Sequence, residues 1–219
     1  MRRYRSNYRR KKFYRKKTYK KNGTNWAGLA KKAFKTAKWV AGLVNSEYKY
    51  FDVNILPSAH NYNGTITSAL CVSAQGTAAQ DRTGDSIKMK NLTIRGEWLL
   101  NAAGATQETV RIIVFIDKQN NITSGAQLLQ SVGNVNAPYS PKNNDNRYDS
   151  KFLIDKTYVL DADNPIKKID WVIKLNLHQH FNTGTTTVDT NAIKIGLFTQ
   201  SATSGAQFQY YGRTTYIDN

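Results

Sequence analysis

From residue 47 to the C-terminus, apolar positions recur with a period of two. Phe51, Val53 and Ile55 alternate with polar neighbours, and Ile66, Leu70 and Val72 mark a second, less regular segment. Ile87 and Met89 share one parity, whereas Leu92, Ile94, Trp98 and Leu100 take the other. That switch predicts a bulge near Asn91 in one long strand, or a break between two. Val110, Ile112, Val114 and Ile116 come next, followed by Phe152 and Ile154, then Tyr158 and Leu160. Ile169, Trp171, Ile173, Leu175 and Leu177 give the cleanest alternation, and Ile193, Ile195 and Leu197 precede a last segment at Phe208 and Tyr210. Turn-rich stretches at 61–64, 83–85, 101–104 and 182–184 separate these runs. About eight strands spaced in this way predict an all-β antiparallel sandwich, with long connections that fit an eight-stranded jelly roll. The weakly patterned stretch from Ser131 to Ser150 reads as a long loop of the functional or partner-facing kind.

Before residue 47 the period is helical. Trp26, Leu29, Ala30, Ala33, Phe34, Ala37, Val40, Ala41 and Val44 recur at three- and four-residue steps, which makes one apolar face over residues 26–44. Lys31, Lys35 and Lys38 lie on the other side with Lys32 beside them, while Asn25 can cap the start and Asn45 the end. Three roles compete for this short amphipathic helix. It can lie on the inner wall of a shell with its lysines toward nucleic acid, rest on a membrane surface, or pack on the core. The expected organisation is a disordered basic arm over 1–25, the helix over 26–45 and a jelly-roll domain over 46–219.

Charge changes the picture because of where it sits. The chain holds 32 Lys and Arg against 15 Asp and Glu, but residues 1–38 hold 16 of the cations and no acid. The first acid is Glu47, so residues 39–219 carry 16 cations against 15 acids and are nearly neutral. Net charge confined to one end marks a segment for a polyanion. Arg2, Arg3, Arg5, Arg9, Arg10, Lys11, Lys12, Arg15, Lys16, Lys17, Lys20 and Lys21 are interleaved with Tyr4, Tyr8, Phe13, Tyr14 and Tyr19. So much like charge with so little aliphatic content cannot bury a core and should be disordered alone. On single-stranded nucleic acid the cations neutralise phosphates and the rings offer stacking faces to unpaired bases. These residues, extended by Lys31, Lys32, Lys35 and Lys38, are the candidate nucleic-acid-binding set, and the same basic run suits a nuclear address.

Fragments that resemble chemistry are weak. His178 and His180 would share a strand face, and Tyr148 with Lys151 has the spacing of a nicking enzyme's nucleophile motif. In replication endonucleases, however, the histidine pair precedes the tyrosine, the residue between the histidines is apolar rather than Gln179, and a phosphate loop of the Gly-x-x-x-x-Gly-Lys-Ser/Thr type is absent here. Asp145, Asp149, Asp161 and Asp163 read as solvated loop acids, with a divalent ion between subunits as the alternative. Neither a metal, a cofactor nor a catalytic residue is expected. Cys71 reads as a core residue within a strand, and the Asn-x-Thr sequons at Asn22, Asn63, Asn91 and Asn121 as chance in a chain without a secretory signal pattern.

The opening MRRYRSNYRRKKFYRKK, the phrase RTGDSIKMKNLTIRGEW at Arg82–Trp98 and the run of strands to the C-terminus, taken in that order, resemble a capsid protein of circovirus-like small circular single-stranded DNA viruses. The resemblance implies a jelly roll, self-association of about sixty copies into an icosahedral T=1 shell, and an interior arm on the single-stranded viral genome. It also implies residence in the virion, passage through the host nucleus by the import machinery, and exterior loops facing a host receptor of unknown identity. The 16 arm cations in about sixty copies give roughly 960 charges, enough for a strand on the order of one thousand nucleotides. The arm here mixes lysine and tyrosine where the circovirus arm is dominated by arginine, and small satellite RNA viruses also join a basic helix to a jelly roll. A non-assembling β-domain with a basic tail remains the alternative of a different class.

Overall fold

Among the described residues nine strands form, most of them where the period of two holds, and they pair into two antiparallel sheets. The computed structural model describes residues 26–43, 48–101, 106–203 and 205–218, with helix side chains described from 28 to 36. The chain divides into two units, residues 1–45 and 46–219. In the second unit the strands are β1 (Tyr48–His60), β2 (Thr65–Ile66), β3 (Ser86–Leu100), β4 (Gln107–Asp117) and β5 (Ser150–Asp161). They continue with β6 (Ile166–Phe181), β7 (Val188–Thr190), β8 (Ala192–Thr199) and β9 (Ala206–Asp218). One sheet has the order β1-β9-β3-β6-β7 and the other β2-β8-β4-β5. With the three-residue β7 set aside, the partners nest: β1 with β9, β2 with β8, β3 with β6, β4 with β5. That nesting is one long hairpin rolled up on itself, which is the jelly-roll topology.

The parity switch in β3 is a bulge. Register shifts between Met89 and Asn91 against both β6 and β9, so Ile87 and Met89 before the bulge face the core together with Leu92, Ile94 and Trp98 after it. A second irregularity lies in β1 between Ile55 and Ser58, around Pro57. β1 is an edge strand, where a residue without an N–H is tolerated.

Between the sheets sit Leu92, Ile94 and Trp98 of β3, Val110, Ile112 and Val114 of β4, Ile193, Ile195 and Leu197 of β8, and Phe208 and Tyr216 of β9. The Trp98 and Phe208 rings lie 4.8 Å apart. β4 is buried on both faces, because Ile113 and Phe115 enter a second cluster with Ile122, Leu128, Leu129 and Phe198. The chain from Ile122 to Leu129, including the helical turn α2 (Gly125–Leu128), therefore covers the outer side of the four-stranded sheet. Each such buried side chain contributes about 1.5–3 kcal/mol.

The stretch 131–150, expected as one long loop, is tied down at several points. Arg111 makes a two-pronged contact with Asp155 (2.7 and 2.6 Å) and donates to the carbonyls of Pro138 and Ser140 at 3.2 and 2.5 Å. A bridge joins Leu129 to Lys142, and a 3-10 turn spans Ala137–Tyr139. The second expected strand is also shorter than its apolar positions suggested. Only Thr65–Ile66 pairs with β8, and Leu70 and Cys71 reach the core from a segment outside any strand. Ile66, Leu70 and Val72 are not spaced by a constant two residues, and the backbone there finds partners singly, as in Leu70 N–H to Ile193 O. Cys71 is fully buried, and burial pushes its thiol up to about 12, as befits an inert core cysteine.

Candidate nucleic-acid interface

The helical pattern of the N-terminal region becomes α1 (Trp26–Leu43). Lys31, Lys32 and Lys35 are exposed on it. Lys31 and Lys35 stand four apart and Lys32 and Lys35 three apart, spacings at which like charges repel by about 0.2–0.5 kcal/mol per pair. A polyanion laid along this face would relieve that repulsion. Leu29 and Phe34, from the expected apolar face, are 48% and 76% exposed. The Thr36 hydroxyl donates to the Lys32 carbonyl at 3.0 Å, a local bond within the helix. No described helix is long and apolar enough to cross a membrane. The candidate residues from Arg2 to Lys21, and the side chain of Lys38, lie outside the described residues.

The histidine and tyrosine fragments lie on different elements, at the end of β6 and in the loop before β5. His178 and His180 share the outward face at the end of β6, exposed as their alternation predicts. Tyr148 is exposed in a loop, with the Arg147 guanidinium 4.5 Å from its ring centroid and donating to its hydroxyl at 2.5 Å. Among the described residues no three of His, Cys, Asp or Glu gather in a way that could hold a metal ion. Of the loop acids, Asp161 accepts from the Asn164 backbone N–H at 2.7 Å and so shapes the β5–β6 turn.

What the chain pattern did not single out are the cations that organise the body. Arg82 is fully buried at the ends of two loops, with its guanidinium 4.4 Å from the centroid of the Phe181 ring. It donates to the carbonyls of Ser73, Gly84 and Thr185 and pairs with Asp85 at 3.3 Å, joining the segment before β3 to the β6–β7 turn. Lys194 is buried against Asp117 at 2.9 Å and also donates to Ile122 O. A third group, Lys88, Lys90 and Lys174, lies on β3 and β6 away from the core. Their only signal in the sequence is parity: each falls between the apolar positions of its strand.

No family model matches the chain, and no curated protein does. Among solved structures, the chain is similar to one from Desmodium yellow mottle tymovirus, at 11% identity over 78% of this chain and 86% of that chain, with a TM-score of 0.38. It is similar to one of the empty head of turnip yellow mosaic virus at 8% identity, over 78% of this chain and 79% of that one, with a TM-score of 0.34. A third, from infectious bursal disease virus of the Gx strain, shares 11% identity over 78% of this chain and 32% of that one, with a TM-score of 0.27. The jelly-roll assignment itself rests on the strand order.

Proposed function

We propose that this chain is a viral capsid subunit. It associates with copies of itself into a small icosahedral shell and packages single-stranded nucleic acid through its first 38 residues. The observation that carries this reading is the division of labour in one chain. Sixteen cations without an acid precede a nearly neutral jelly roll, a body whose copies can enclose a volume while each contributes one cationic segment. The role is structural and requires no catalytic group. The likeness of the opening and of Arg82–Trp98 to circovirus capsid proteins favours a circular single-stranded DNA genome, a T=1 shell, and entry to the host nucleus on the basic run.

A basic tail on a β-domain that stays monomeric would explain the same charge division, and light scattering with and without nucleic acid separates the two. Deleting residues 2–21 removes 12 cations, and binding to single-stranded DNA is expected to collapse along with most of its salt dependence. Binding that survives the deletion with an unchanged salt slope would refute the assignment of the arm.

A further inference from the structure

The outward face of the five-stranded sheet is divided electrically. Strand register sets its rows, since residues directly opposite one another share a face. One row runs Tyr48, Ile217, Lys88, His178, and the next runs Tyr50, Thr215, Asn91, Lys174. Against β9 the β3 bulge inserts Lys90 between them, since Met89 and Asn91 pair with the consecutive residues Tyr216 and Thr215. Among the described residues, Lys88, Lys90 and Lys174 enter no ion pair. Arg213, in the following row, is cancelled by Asp52 through two contacts of 2.7 Å.

Farther along the same face the charges balance. Arg95 pairs with Asp170 at 3.3 Å, and Glu97 accepts from Gln209 with Lys168 directly opposite. One half therefore carries three cations with no acid directly opposite them in the register, whereas in the other Arg95 faces Asp170 and Lys168 faces Glu97. A face meant only for solvent mixes its signs, and clustered like charge costs free energy until a counter-charge arrives.

Aromatic rings lie in the cationic half. Tyr48 is 63% and Tyr50 41% exposed, and the Arg213 guanidinium sits 4.8 Å from the Tyr50 ring centroid, bracing it. Strands are about 4.8 Å apart, so Tyr48 lies roughly 10 Å from Lys88 and Tyr50 roughly 14 Å from Lys174. Lysine with tyrosine is also the composition of residues 1–21.

We propose that Tyr48, Tyr50, Lys88, Lys90 and Lys174 form a second binding surface for single-stranded nucleic acid, on the body and separate from the N-terminal segment. The lysines take phosphates and the two tyrosines take unpaired bases. The proposal rests on the packaging role above, and its test keeps the two apart.

The full chain is bound to a thymidine oligomer of about 30 nucleotides, the affinity is measured across salt, and the complex is cross-linked by ultraviolet light and mapped by peptide. Replacing all three lysines (K88Q, K90Q, K174Q) is expected to reduce the magnitude of the log–log salt slope by about 2, at about 0.7 per phosphate, with thermal melting unchanged. Cross-links are expected on the peptide holding Tyr48 and Tyr50, and K88Q/K90Q/K174Q should weaken them. An unchanged slope with cross-links confined to residues 1–45 would overturn the second surface and leave the packaging role standing. Absence of binding by the unaltered chain would overturn both.

Discussion

Replacing His60 by glutamine is expected to flatten the acid limb of the stability curve. His60 is 4% exposed at the end of β1, with its ring nitrogens 3.2 Å from the Ser58 hydroxyl and 3.1 Å from the Thr65 hydroxyl. Its ring stands edge-on to Trp98 at 5.7 Å, inside the sandwich. Burial disfavours the imidazolium there and pulls the pKa from 6.5 down to about 4. Between those values the unfolded chain binds a proton that the folded chain refuses, so stability rises with pH across the window. The contribution is fully present above 6.5 and is lost as pH falls toward 4; below that both states are protonated and nothing more changes. A difference of 2.5 pH units amounts to roughly 3 kcal/mol, with a slope approaching 1.4 kcal/mol per pH unit near pH 5.

Two carboxylates, Asp52 and Asp218, are held below their ordinary value and titrate below this window. Asp52 is lowered by its hydrogen bond from Arg213, and in Asp218 hydrogen bonds from Lys49 and Thr83 outweigh a burial that raises it, so their losses come below the ordinary carboxylate range. Urea unfolding at several pH values between about 7.5 and 4.5, in about 1 M salt to screen the cationic segment, separates these effects. The His60→Gln variant has its own baseline, and only the slope is compared. An equal loss of stability in variant and parent across that range would refute the burial of a neutral imidazole as its source.

Three further outcomes are expected. Lys194→Met should cost about 3–5 kcal/mol in urea unfolding, because the fully buried Asp117 carboxylate loses its counter-charge, and adding Asp117→Leu should recover most of it. Arg82→Met should cost about 2–4 kcal/mol and open the segment around Gly84 and the turn at 182–185 to limited proteolysis, since their carbonyls lose a shared donor. Replacing Lys31, Lys32 and Lys35 by glutamine should reduce the salt slope of single-stranded DNA binding by about 2 while leaving the melting of the jelly roll unchanged.

Most strands were legible because one face of each is buried. β6 shows this in its run from Ile169 to Leu177, and the bulge in β3 showed itself as a change of parity at Asn91. Pairing was not legible, since β1 and β9 meet across almost the whole domain and nothing local records it. The double burial of β4 was visible only as an unbroken apolar run at Ile112–Ile116, which periodicity alone leaves ambiguous. Arg82 acts mainly, and Arg111 and Lys194 in part, on backbone carbonyls, which are the same at every position of a sequence. Composition located the cationic segment, whereas only strand register puts Lys88 in one row with Tyr48 and Lys174 in one row with Tyr50.

Whether the neutral body encloses a volume is the point on which the account turns. Electron micrographs of the purified chain, mixed with single-stranded DNA on the order of one thousand nucleotides at low salt, test it most directly. Closed particles of uniform size that protect the strand from nuclease are the predicted result. A protein that stays strictly monomeric with and without the strand would contradict the capsid role.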